Sequence, residues 1–364
     1  MTDFNTMQMS QLLGYSNVTV VYLWANGDYW IRQQEFCAAF RAAPASHNVV
    51  IHVQFEGLSL TRSRVVSAVE KIIHETGRSL DSVFVYSPNA IADDSPWTNL
   101  FWRQWKVSDE FYRSKKYWSD ADIDLESDWK TWALFVGRRT TPRLLALYDI
   151  WQDSALKQAC LLSKMNETGP PTLQPFDHSH MIHDQLYDWM PIVDPIKKTS
   201  VHEHFRNFCF DIPVGSIDGY NVIDQYTNAT CGENRNAAPT KNLINISGKY
   251  LFEITFETMT LGTTFTPSEK TVRTIVAEKP LVVYAPKDFL NNLQKLGFKT
   301  FSDLWDEGYD RFEGPDRYKH IMTIVKDVVN MSASDQLELY ENSRQICSHN
   351  RQHLAVLLGQ RFNV

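Results

Sequence analysis

Short apolar runs rich in β-branched residues alternate with longer stretches of helical spacing along much of this chain, and that alternation constrains its fold more than any other feature. Val18 to Trp24 (VTVVYLW) stops at Ala25-Asn26-Gly27-Asp28, and a helix-like stretch through Phe36, Ala39 and Phe40 follows. Val49 to Phe55 (VVIHVQF) gives way to a Glu56-Gly57 loop, then to Val65, Val66, Val69, Ile72 and Ile73 at helical spacing. Ser82 to Tyr86 (SVFVY) ends at the polar loop Ser87-Pro88-Asn89. Strands that alternate with helices imply a parallel sheet covered on both faces.

The chain has 364 residues, enough for two domains at roughly 100–200 residues each. From Trp97 to Trp132 aromatic and charged residues mix without a clean period, and Ser119 to Asp128 (SDADIDLESD) is a concentrated acidic loop. The boundary is placed there, giving an N-terminal domain over 1–130 and a C-terminal domain over 131–364. A fresh strand, Trp132 to Val136, runs into Gly137-Arg138-Arg139 and a helix from Pro142. A stretch rich in Pro, Asp, His and Asn, 168–242, reads as an insertion. Strands are expected to resume at Leu243 to Ile246 and Tyr250 to Phe256, followed by a helix opened by Ser268-Glu269-Lys270-Thr271, a strand at Leu281 to Tyr284 and a helix at Asp288 to Leu296. Helices over Asp316 to Val329 and Ser334 to Leu358 close the chain.

Composition narrows the functional classes. A chain that is 43% hydrophobic and 22% charged is an ordinary globular protein. Its net charge of −7 argues against broad phosphate neutralisation of a nucleic acid, leaving local clusters such as Arg62/Arg64 and Arg113/Lys115/Lys116 for any such contact. Cys37, Cys160, Cys209, Cys231 and Cys347 form no CxxC pair and read as reduced thiols. No run approaches 18 apolar residues and the N-terminus lacks a signal-peptide pattern, so a cytoplasmic protein without a membrane span is the expectation. Aromatic residues make up 13% of the chain, most of them for the core, with Trp97, Trp102, Trp105, Trp118 and Trp129 gathered near the inter-domain stretch.

Several motifs are absent. There is no GxGxxG after the first strand, no GKS/T phosphate loop and no GxSxG elbow. His178, His180, His183, His202 and His204 lack the HExxH spacing of a zinc site. Asp120, Asp122, Asp124, Glu126 and Asp128 fail as a calcium loop, because Leu125 and Thr131 occupy the positions that need Gly and Glu.

Three sets of residues have the chemistry for a phosphorylated, hydroxyl-bearing ligand. At Glu269-Lys270-Thr271 a carboxylate suits ribose hydroxyls, while an ammonium and the amides of a helix start suit a diphosphate. The plainer reading makes Ser268 an N-cap and Glu269 a helix-dipole partner. Arg138 and Arg139 leave the end of a strand, where open α/β sheets bind ligands, or else lie on a solvated loop. Asp28 and Glu56 follow the first two strands; each is either a general base or a turn or cap residue.

The segment Leu251 to Asp310 resembles the donor-binding half of GT-B glycosyltransferases. It is more closely similar to a glycosyltransferase-like family of phages and viruses, on Glu257-Thr258, Phe265, Glu269-Lys270-Thr271, Pro280, Leu296-Gly297-Phe298-Lys299-Thr300-Phe301, Asp306-Glu307, Tyr309-Asp310, Arg317 and His349-Asn350. The resemblance implies an α/β fold of two Rossmann-like domains facing a cleft, with C-terminal helices. It implies transfer of a hexose from a nucleotide sugar, a UDP-sugar first, to an acceptor hydroxyl. Arg138, Arg139, Glu257, Glu269, Lys270 and Thr271 would hold the donor, Asp28 or Glu56 would act as the base, and Asn89 would contact the acceptor. A diphosphate held by arginine and lysine needs no metal. Similarity to TET/JBP-associated enzymes points to a hydroxymethylated DNA base as acceptor, against which the acidic balance counts. A glycan, lipid or protein acceptor, or a catalytically silent binding protein of the same shape, are the alternatives.

Overall fold

The computed structural model describes residues 13–26, 29–53, 60, 61, 64–87, 96–101, 125, 128–136, 142, 143, 146, 149, 150, 153–164, 216, 217, 220, 221, 247–257, 260 and 262–359. They form two compact units, one from 1–107, 258–268 and 285–292 and the other from 108–257, 269–284 and 293–364.

In the first unit, β1 (Val18–Asn26), β2 (Tyr29–Ile31), α1 (Gln33–Ala42), β3 (Asn48–Val53), α2 (Val65–Thr76), β4 (Val83–Ser87) and β5 (Thr98–Phe101) follow one another along the chain. The sheet order is β2-β1-β3-β4-β5. Strands β1, β3, β4 and β5 run parallel, and β2 pairs antiparallel on the edge. Alternation sets the register: Val21 sits opposite Ile51 and Ile51 opposite Val85, so one row of branched side chains meets Phe36 and Phe40 of α1 and Val69 and Ile72 of α2. The other row brings the rings of Tyr22, His52 and Tyr86 together, with centroids 5.2 and 4.9 Å apart.

Buried Arg78 fastens this unit, donating to the carbonyls of His47, Ala43 and Pro44 at 2.5, 2.8 and 2.9 Å. Two strands here are absent from the sequence reading. Strand β2 is three residues long and held by its hairpin with β1, and β5 (TNLF) is a mixed tetrapeptide that becomes a strand by pairing with β4. Trp97, grouped above with the inter-domain aromatics, is instead a core residue packed with α2 and the strands.

The second unit runs β6 (Lys130–Val136), α3 (Ser154–Ala159), β7 (Cys160–Lys164), β8 (Ser216–Ile217), β9 (Tyr220–Asn221), β10 (Tyr250–Phe256), α4 (Glu269–Val276) and β11 (Leu281–Tyr284). Along the chain α5 (Phe289–Lys295) begins in the first unit's segment and ends in the second's, and α6 (Gly314–Val329) and α7 (Ala333–Gly359) follow within the second. Its main sheet is wholly parallel, in the order β11-β10-β6-β7. All seven residues of β10 are buried, as expected of a central strand covered on both faces. Strand β7 was not expected, since its five residues (CLLSK) follow α3 without a break. Residues 243–246, expected as a strand, lie outside the described residues. None of the described helices is long and apolar enough to cross a membrane.

The string of residues that carries the family resemblance is largely architecture. Gly297 follows α5 at φ +95°, and a Cβ there would come within 2.6 Å of the His353 ring. His353 and His349 on α7 meet the carbonyls of Leu296 and Gly297 at 2.6 and 3.2 Å. Asn350 brackets Lys299, accepting from its N–H at 2.7 Å and donating to its carbonyl at 2.8 Å. Glu307 accepts from the Phe301 N–H at 2.7 Å, and burial pushes its carboxyl above the usual range. The turn is therefore clamped on both sides. Gly297→Ala combines a disfavoured φ with a collision against the His353 ring, which is itself held at the Leu296 carbonyl, and should destabilise the protein by about 2–4 kcal/mol, read as a lower urea midpoint; an unchanged midpoint would show that the turn has slack.

Candidate functional site

In an open parallel sheet, the place where the chain reverses its direction of growth leaves a crevice at the carboxyl ends of the two strands involved. Here the chain goes from β6 outward to β7 and later returns on the other side of β6 with β10, so the reversal lies between β6 and β10. The parallel strands of the first unit follow chain order without such a reversal.

The carboxyl end of β10 is Phe256-Glu257. Glu257 is 2% exposed; its N–H donates to the Tyr284 carbonyl at 2.9 Å, and its Oε1 accepts from the Thr271 hydroxyl. Thr271, fully buried, lies in the first turn of α4, the helix that leads from β10 to β11. The same turn carries Glu269, described here by its backbone alone, and half-buried Lys270. The structure thus brings Glu257, Lys270 and Thr271 to one place, with the amino end of α4 contributing the positive end of its dipole.

The carboxyl end of β6 is Val136, after which Gly137-Arg138-Arg139 begin. Arg138 and Arg139 lie outside the described residues, as do Asp28, Glu56 and Asn89, the histidines His178, His180, His183, His202 and His204, and the acidic residues Asp120, Asp122, Asp124 and Glu126. A cation that the sequence reading passed over is described: Arg143, 3% exposed, donates through Nη2 to the Phe256 carbonyl at 2.6 Å. It fastens the helical residues after β6 to the end of β10. The signal for it in the sequence is a cation one turn beyond a strand-to-helix loop. Among the described residues no group of three or more His, Cys, Asp or Glu side chains is arranged to hold a metal ion.

Beneath this end of the sheet lies a polar layer. Glu253, fully buried in the middle of β10, is ion-paired with Arg273 of α4 and accepts from the Tyr250 hydroxyl at 3.2 Å. Burial holds its carboxyl above the usual range, against the pull of the Arg273 guanidinium. The hydroxyls of Thr255 and Thr274 lie 3.2 Å apart, and Thr274 donates to the Lys270 carbonyl at 3.1 Å. Helix α4 is fixed to β10 by charge and hydroxyl contacts as well as by apolar packing.

No known family's sequence profile matches the chain, and no curated protein matches it in sequence. Among solved structures, a Burkholderia multivorans α,α-trehalose 6-phosphate synthase is similar with TM-score 0.43 at 8% identity, over 98% of this chain and 75% of that one. An OtsA apo structure gives TM-score 0.41 at 8% identity, over 98% and 76%. The N-terminal domain of a Candida albicans trehalose-6-phosphate phosphatase gives 0.39 at 8% identity, over 98% and 73%.

Proposed function

We propose that the chain is a nucleotide-sugar-dependent hexosyltransferase of the GT-B kind, with its donor at the carboxyl ends of β6 and β10. One observation carries the reading: at the reversal point of the second sheet a buried carboxylate, Glu257, is braced by Thr271 at a helix start that also presents Lys270. A carboxylate held in this way accepts hydrogen bonds from vicinal ribose hydroxyls, while Lys270, the α4 amides and the Arg138-Arg139 loop suit a diphosphate. Stabilising the departing diphosphate is the electrostatic part of the catalysis, because charge develops there as the glycosidic bond breaks.

The acceptor side follows the family resemblance. Asp28 or Glu56 takes the proton from the attacking hydroxyl, and Asn89 helps to orient it. A UDP-sugar is the donor to try first and a hydroxymethylated base in DNA the acceptor, with a glycan, lipid or protein hydroxyl as the other choice. The division at 130/131 separates the two roles, acceptor before it and donor after it.

Calorimetric titration of the full chain with UDP-, GDP- and CDP-sugars tests this reading. At least one should bind, and Lys270→Ala or Glu257→Gln should weaken it tenfold or more, since a hydrogen bond to a charged group contributes about 1.5–3 kcal/mol. Melting temperatures of the variants establish that the fold is kept. Failure of the folded protein to bind any of the panel, or unchanged binding in both variants, would overturn it.

A further inference from the structure

Lys279 precedes β11 and is only 2% exposed. Its Nζ lies 3.3 Å from the Tyr340 hydroxyl on α7, 4.7 Å from the centroid of that ring and 5.5 Å from the ring of Tyr250 on β10. No carboxylate comes within 4 Å of it among the described residues; Glu278, its chain neighbour, is paired with Arg351 at 3.3 Å. Two ring faces and one phenol are a weak substitute for the water an ammonium loses on burial. The uncharged amine, by contrast, fits the cage as a hydrogen-bonded, mostly apolar side chain.

We propose that Lys279 is a proton-controlled latch for α7: the neutral amine lets α7 close over β10 through Tyr340 and Tyr250, and its protonation favours a state in which α7 has lifted and the ammonium is hydrated. Burial brings the amine down from the usual lysine value to about 7, with Arg344 adding to the effect and Cys347 and Glu278 opposing it. The groups that face it are Tyr250 from β10, Tyr340, Arg344 and Cys347 from α7, and Glu278 from the preceding turn. Burial raises Tyr250 well above its ordinary value and pushes the Cys347 thiol up to about 12, so neither ionises near neutrality in the closed state.

The sign follows from proton counting. Between about 7 and 10.5 the lifted state binds more protons than the closed one, so lowering the pH favours lifting, and the effect levels off below 7. Glu253, which accepts from the Tyr250 hydroxyl, has a raised value and works in the opposite direction.

Amide hydrogen exchange of the full chain tests the latch, with rates corrected for the intrinsic effect of pH. Protection of α7 should fall about twentyfold from pH 8.5 to pH 6.5 and should be nearly flat in Lys279→Met. An α7 protection that does not depend on pH in the parent chain, or that depends on it equally in Lys279→Met, overturns the proposal. Should the variant fail to fold, the 13Cε resonance of Lys279 in the lysine-labelled parent chain decides: a midpoint near neutrality supports the latch, and an amine still charged at pH 9 refutes it.

Discussion

Arg317→Met should cost the second unit about 3–5 kcal/mol, measured as a drop in the urea midpoint with the first unit's transition in place. Arg317 lies fully buried in α6. Through Nη2 it donates to the Val283 carbonyl of β11 at 3.2 Å and to Asp310 Oδ1 at 2.9 Å, and through Nη1 to the Asp310 carbonyl at 3.2 Å. Its guanidinium also stacks 5.2 Å from the centroid of Tyr309. Methionine fills much of the volume but takes the guanidinium away from the carbonyls of Val283, Asp310 and Phe312 and from the mostly buried Asp310 carboxylate. Removing one side of such a set is far more costly than the set is worth in total, because the abandoned groups have no water to turn to. Asp310→Asn keeps an acceptor for the guanidinium and should cost less than half as much. A loss below about 1 kcal/mol in Arg317→Met would mean that α6 relaxes enough to hydrate these groups.

Arg273→Met is expected to be nearly as severe at pH 7, about 3–5 kcal/mol, and to be milder in acid. The guanidinium faces Glu253, which has no exposure to solvent, and lies 5.3 Å from the Phe135 ring. Without it, Glu253 must either stay ionised in an apolar site or take up a proton. Because its value is already above the usual carboxylate range in the folded state, the folded protein binds the extra proton as pH falls, and the unfolded chain does so only near its ordinary value. Stability of Arg273→Met should therefore rise from pH 7 toward pH 5, and the double variant with Glu253→Gln should recover most of the loss and lose the pH dependence. Unfolding curves at the two pH values for the parent, both single variants and the double complete the cycle; a loss independent of pH would show that Glu253 is already neutral beside Arg273.

The two arginines bear on how much could be read in advance. Arg317 and Asp310 belong to the string that carries the family resemblance, and Arg273 does not. Neither position differs in sequence character from Arg311 or Arg344, which are exposed. What distinguishes them is a partner 34 residues away in β11 for Arg317 and 20 residues away in β10 for Arg273. The same holds for His349-Asn350, whose partners at the Gly297 turn lie 51 and 52 residues upstream. Read along the chain, such a string does not separate residues that grip a ligand from residues that grip the backbone.

The major strands and helices were legible because their burial is local and periodic. Branched residues at every second place, or apolar ones at helical spacing, mark an element wherever it ends up. Short or mixed strands escaped because they become strands through a neighbour: β2 through β1, β5 through β4, and β7 through β6.

By itself, then, the sequence determined an alternating α/β chain and the kinds of side chain available at the ends of its strands. The tertiary structure decided that β10 returns across β6 instead of extending past β7, which puts the sheet's reversal point between them and Glu257 at its carboxyl end. It also decided which charged residues serve as scaffolding. Both decisions turn on contacts between residues far apart in the chain, where a buried charge or carbonyl must find its partner or forfeit its hydration, and no local period records that requirement.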